Sequence, residues 1–152
     1  MWGRDLNFRS HVLYLKFREV VKMKKEKAII QKLEKICIMN CKTEDGKNKL
    51  DSLFEKVITK VFSYSSDKIS EMSVDDILHI LRKFGKKYKM HLSYVFFHTN
   101  PQEGLTGSLI DRNTPAYEMV CTAYAQTLEE LFKKIILCIY FYVKGNKESE
   151  EN

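Results

Sequence analysis

Apolar residues recur at helical spacing in four parts of this chain and alternate at strand spacing in three. The cleanest helical pattern is Leu50, Leu53, Phe54, Val57, Ile58, Val61 and Phe62, a set that lines one face at 3.6 residues per turn. It predicts a core helix from about Leu50 to Tyr64. Upstream, residues 12–40 carry two apolar stripes, Val12, Leu13, Phe17, Val20 and Val21, then Ala28, Ile29, Leu33, Ile36, Cys37 and Met39, so a helix with a break near Lys24 is expected. Lys42 to Asn48, with its Asp-Gly pair, is expected to be a polar turn, and the Ser-rich stretch after Tyr64 another. Ser73 then stands as an N-cap, with Asp75 and Asp76 in the first turn, Ile77, Leu78, Leu81 and Phe84 on one face, and Gly85 as terminator.

Three alternating runs follow. Met90, Leu92, Tyr94 and Phe96 interleave with His91, Ser93, Val95 and Phe97; Leu105 to Ile110 is a shorter run between glycines; Tyr117, Met119, Cys121 and Ala123 interleave with Glu118, Val120, Thr122 and Tyr124. Alternation of this kind, rich in aromatic and β-branched residues, predicts strands. Asn100 to Gly104 and Asp111 to Pro115 are the connecting turns, too short for parallel neighbours, so the expected sheet is an antiparallel meander. Thr127-Leu128-Glu129-Glu130 has the form of a capping box and opens a helix whose apolar face is Leu128, Leu131, Phe132, Ile135, Ile136 and Ile139, with Gly145 as the expected C-cap. From Ile135 to Val143 no charge interrupts this helix. Its surplus apolar surface needs cover beyond one small sheet, from the N-terminal helices or from a second copy of the chain.

The expected fold class is therefore α+β: N-terminal helices over 12–88, then a three-stranded antiparallel sheet with a packed C-terminal helix over 89–145, in a single domain with an acidic tail over 146–152. At 152 residues, 44% hydrophobic and 30% charged, the chain can bury a substantial core. Its Lys, Ile, Asn and Tyr bias is the composition expected of an AT-rich phage or mobile element. Arg4, Asp5 and Arg9 interrupt the first fifteen residues, so no secretory leader is expected, and no apolar run reaches the roughly 20 residues of a membrane span. The expected location is the cytoplasm, of a host cell if the element is mobile, with the four cysteines as reduced thiols.

The net charge of +6 is unevenly spread, at +7 over residues 1–50, +2 over 51–100 and −3 over 101–152. Lys24, Lys25 and Lys27 lie on the first helical stretch, and Arg82, Lys83, Lys86, Lys87 and Lys89 follow the third. Such lysines solvate an amphipathic helix, and cations complement the C-terminal end of a helix dipole; alternatively they track phosphates, making nucleic acid a possible partner.

Catalytic chemistry has little to stand on. His91 and His98 fall an odd interval apart on one strand, hence on opposite faces, and no nucleophile elbow or Gly-rich phosphate loop occurs. His91-Leu92-Ser93 resembles one half of the paired motif of two-histidine phosphoesterases; the other half is missing. Cys37 and Cys41 could share a helix face, with Cys121 and Cys138 distant in sequence, but paired knuckle spacing is absent, so the cysteines read as buried small hydrophobes. Neither a metal nor any cofactor is expected.

From Ser73 to Lys144 the helix, three strands and helix resemble double-stranded-RNA-binding domains in topology, with Glu129 and Glu130 standing where that family carries lysines for phosphate. Residues 89–144, through Ala123-Tyr124-Ala125-Gln126-Thr127-Leu128-Glu129-Glu130, resemble HicB-type antitoxin domains, although Leu131 replaces that family's alanine. The expectation from all of this is a non-enzymatic binding protein that occupies a protein partner and self-associates as a homo-oligomer through Phe132, Ile139, Tyr140, Phe141 and Tyr142.

Overall fold

The computed structural model describes residues 24, 26–99 and 102–151, with side chains placed outside 94–103 and 147–151. The first apolar stripe, Val12 to Val21, and Lys25 lie outside the described residues. Helix α1 (26–37) turns Leu33, Ile36 and Cys37 into the core and leaves Lys27, Lys32 and Lys35 in solvent. Helix α2 (Glu44–Phe62) starts earlier than its apolar pattern suggests. Thr43 caps it by accepting from Gly46 N at 3.2 Å, and Glu44 and Asp45 occupy the positive end of its dipole. The expected turn at Lys42–Asn48 is thus largely the first turn of α2. Gly46 is required there by close approach, since a Cβ would sit 1.7 Å from the Asn40 carbonyl oxygen. Leu50, Phe54, Val57 and Ile58 are the buried face.

A single-turn helix, α3 (Ser66–Ser70), replaces the expected Ser-rich turn and buries nothing. Helix α4 (Val74–Tyr88) is held at its start by a reciprocal pair, with Ser73 N donating to Asp76 Oδ2 at 3.0 Å and Asp76 N to Ser73 Oγ at 3.2 Å. Ser73 is also why the Asp76 carboxyl lies below its ordinary pKa. Gly85 does not end the helix; Lys89 does, in the left-handed conformation at φ 55°. Gly85 instead makes room for the Met90 carbonyl oxygen, 2.9 Å from where its Cβ would be.

Strands β1 (Met90–Thr99), β2 (Gln102–Asp111) and β3 (Glu118–Ala125) form the expected antiparallel meander in the order β1-β2-β3. The β2–β3 register slips by one residue between Leu109, paired with Cys121, and Ile110, paired with Met119. Val120 is the extra residue of this bulge. Simple alternation puts Met119 on the side of Cys121; the bulge sets it on the opposite face, and Thr122 Oγ1 lies 3.4 Å from Met119 Sδ there.

Helix α5 (Leu128–Glu151) joins every layer. Thr127 Oγ1 accepts from Glu130 N at 3.2 Å, while the Glu130 carboxylate reaches one residue past the cap to accept from Gln126 N at 2.9 Å. The helix runs through Gly145, where a Cβ would meet Ile29 Cδ1 at 2.7 Å, so this glycine permits a helix crossing and is not a cap. Ile29 beside Gly145, Leu33 beside Cys138, and Met39 beside Lys134 show that α1 runs antiparallel to α5. Helices α2 and α4 and strands β2 and β3 also pack on α5. The uncharged run from Ile135 is covered by this chain's own N-terminal helices together with the sheet, and Leu131, Ile135, Ile136, Leu137 and Ile139 are buried, each contributing about 2 kcal/mol of apolar transfer. Among the described residues no helix is long and apolar enough to cross a membrane.

Candidate functional site: an uncharged sheet face and a buried thiol cluster

One sheet face packs on α5 through Leu105, Gly107, Leu109, Cys121, Ala123 and Ala125. The strand register fixes the other face in rows: His91, Ile110 and Met119; Ser93, Ser108 and Thr122; then Thr106 and Tyr124. Ser108 and Thr122 confirm the middle row by a 3.1 Å hydroxyl contact. None of these eight residues is Asp, Glu, Lys or Arg, in a chain that is 30% charged. Met119 and Tyr124 are 65% and 57% exposed, and Tyr117, entering β3 at φ 50°, is 60% exposed. A solvent face of an antiparallel sheet ordinarily carries charge; this one carries hydroxyls, a thioether and a phenol ring. Buried Thr106 Oγ1 has no hydrogen-bond partner among the described residues.

Of the residues expected at a protein interface, Phe132 and Ile139 are only 3% and 1% exposed within the monomer. Both side chains are buried on α5, the helix against which α1, α2 and α4 pack. Tyr140, Phe141 and Tyr142 are half-buried; the Tyr142 hydroxyl donates to Asp111 Oδ2 at 3.0 Å, and Lys32 Nζ lies 3.9 Å from the Phe141 ring centre. Burial, assisted by the Asp111 carboxylate, raises the Tyr142 phenol above its ordinary pKa.

Lys24, Lys27, Arg82, Lys83, Lys86, Lys87 and Lys89 are all exposed. The fold gathers the two clusters toward one end. Arg112 N donates to Lys89 O at 2.9 Å and Asn113 Nδ2 to Tyr88 O at 2.9 Å, tying the end of α4 to the β2–β3 turn. Asp111 in that turn meets Tyr142, while α1 lies along the same part of α5 through Ile29 and Lys32. No charged residue of either cluster lies on the uncharged sheet face.

At the opposite end, an open cleft of about 500 Å³ lies between the α1–α2 link and the sheet, lined by Met39, Cys41, Thr106, Tyr124, Glu130 and Lys134 among others. Lys134 is 1% exposed. Its ammonium donates to Met39 O at 2.8 Å and Tyr124 O at 2.6 Å, with Glu130 Oε2 at 3.7 Å. This lysine clamps three segments together, its donors already engaged. Burial and the nearby Glu130 carboxylate raise the Cys41 thiol. His79 and His91 are exposed on separate elements.

Three cysteines from three elements meet inside the core: Cys37 on α1, Cys121 on β3 and Cys138 on α5. Their sulfurs all lie within 4.8 Å of one another, and Cys37 Sγ is 3.6 Å from Cys138 Sγ. Cys41, the expected neighbour of Cys37, instead points to Gly46 O at 3.9 Å. Hydrogen bonds from Cys121 and then Cys138 pull the Cys37 thiol down against the opposing effect of burial, with help from the Lys134 charge; Cys138 is pushed up by its two thiol neighbours and by burial. Each cysteine occupies an ordinary core position in its own segment, so linear spacing carried no trace of the cluster. Comparisons with family models, with curated proteins and with solved structures return no match to this chain.

Proposed function

We propose that the protein is a non-enzymatic intracellular binding module that acts by occupying a protein partner through the outer face of its sheet. The observation that carries this reading is the uncharged patch of Ile110, Met119 and Tyr124 around the Ser108–Thr122 hydroxyl pair, with Tyr117 at its margin. Tyr and Met are enriched, and Lys, Glu and Asp depleted, at the centres of protein interfaces. Side-chain hydroxyls there can donate or accept, which suits a partner surface of mixed polarity. A photo-crosslinking residue at position 124 should trap a discrete protein that the same group at exposed Lys60 does not. The double variant Met119→Lys, Tyr124→Lys should lose a partner trapped from position 117 while melting normally. Equal trapping from positions 124 and 60 would refute the assignment of this face.

The second reading, nucleic-acid binding, rests on the gathering of Lys24, Lys27 and Arg82 to Lys89 toward one end of the molecule. Phosphate-tracking surfaces need such clustered cations.

A further inference from the structure

We propose that Cys37, Cys121 and Cys138 form a binding site for one thiophilic d10 metal ion, Cu(I) or Zn(II). Thiols can pack singly anywhere in an apolar core; here three, from segments far apart in sequence, converge on one point. A metal–sulfur bond of about 2.3 Å sets thiolates roughly 3.8 Å apart in a tetrahedral site and roughly 4.0 Å apart in a trigonal one. The observed separations, from 3.6 Å to at most 4.8 Å, bracket both values. Ligation therefore asks only small rotations of the three side chains.

Charge and softness narrow the ion. Three sulfur donors select soft or borderline cations over Mg²⁺ and Ca²⁺, which take oxygen. Three thiolates could not stand together in a dry core without a cation, and Lys134, one turn before Cys138 on α5, supplies a further positive charge beside them. Among the described residues no fourth His, Cys, Asp or Glu joins the set. A closed three-sulfur site matches the trigonal coordination open to Cu(I); Zn(II) would need a fourth donor, since structural zinc is almost always four-coordinate. All three cysteines are buried, so the ion would enter while α1 is off α5, and loading would be coupled to folding.

The full-length chain, reduced and refolded without oxygen in the presence of Cu(I) or Zn(II) separately, provides the test. After desalting, elemental analysis should find one ion per chain for one of the two, and the ion retained identifies the occupant. Thiolate-to-metal charge-transfer absorption should accompany it, and the melting temperature should rise by about 10 °C when free metal is held a thousandfold above its dissociation constant. Cys121→Ser should abolish stoichiometric binding and Cys41→Ser should retain it. Because the wild-type measurement needs no variant to fold, it decides alone: far less than one equivalent of either ion, with no absorption and no melting shift, overturns the proposal. Binding lost in Cys41→Ser and kept in Cys121→Ser would overturn it equally.

Discussion

Replacing Lys134 by Met removes the ammonium and keeps most of the buried stem, which isolates the polar clamp from the packing around it. Two carbonyls, Met39 O and Tyr124 O, lose donors at 2.8 and 2.6 Å, and Glu130 loses its cation at 3.7 Å. A buried acceptor left without a partner costs about 1–3 kcal/mol. Both carbonyls border the open cleft, so water can reach them and the lower end applies, about 1 kcal/mol each. Loss of the Glu130 pair adds roughly 1 kcal/mol, and relief from holding an ammonium in a dry site offsets part of the sum. The expected destabilisation is about 2 kcal/mol, or a fall in melting temperature of about 4–8 °C for a chain of this size. Chemical denaturation should show a lower midpoint with an unchanged slope. Adding Glu130→Gln to Lys134→Met should cost less than the two single changes summed, because the carboxylate has already lost its cation. A Lys134→Met variant as stable as the wild type would mean that desolvating the ammonium costs as much as the clamp returns, and the clamp would then be a device of geometry with no net contribution to stability.

Two further outcomes follow from contacts already described. Gly46→Ala would be mildly stabilising in an ordinary helix; here the new methyl meets the Asn40 carbonyl oxygen at 1.7 Å, so a loss of about 3 kcal/mol in denaturant unfolding is expected, and a neutral result would show that the α1–α2 link is free to shift. If the basic end binds nucleic acid, the double variant Lys86→Glu, Lys87→Glu should lower the slope of log affinity against log salt by about 2 in a column or titration assay; wild-type protein that is not retained at low salt removes that reading.

The amino-acid pattern was legible wherever one local signal acted alone. Leu50 to Phe62 and Ser73 to Phe84 announced α2 and α4 because apolar period and cap chemistry agreed, and the meander followed from alternation with short turns. Glycine is an ambiguous signal. Gly85 and Gly145 looked like terminators, yet each makes space for a neighbour, Met90 and Ile29, that only the tertiary packing brings near. The apolar excess of α5 was real, but its cover proved to be α1, α2 and α4; periodicity shows that a face is greasy and says nothing of what lies on it. Lys134 and the three clustered cysteines were invisible for the same reason: each sits at an unremarkable position in its own segment, and their meaning arises from partners up to a hundred residues away.

The bulge at Val120 makes membership of the inside or the outside a matter of counting. Upstream of it Met119 looks outward; downstream Cys121 looks inward; only the presence of one additional link in β3 reconciles the two. Loss of the Val120 codon would leave Met119 outward, because Met119 and Cys121 would then be consecutive and pair with consecutive Ile110 and Leu109; keeping Val120 but drawing it into a regular ladder would instead carry Met119 through the plane of the sheet toward α5. For this sheet, which residue is left out of the pairing is as much a part of the message as residue identity.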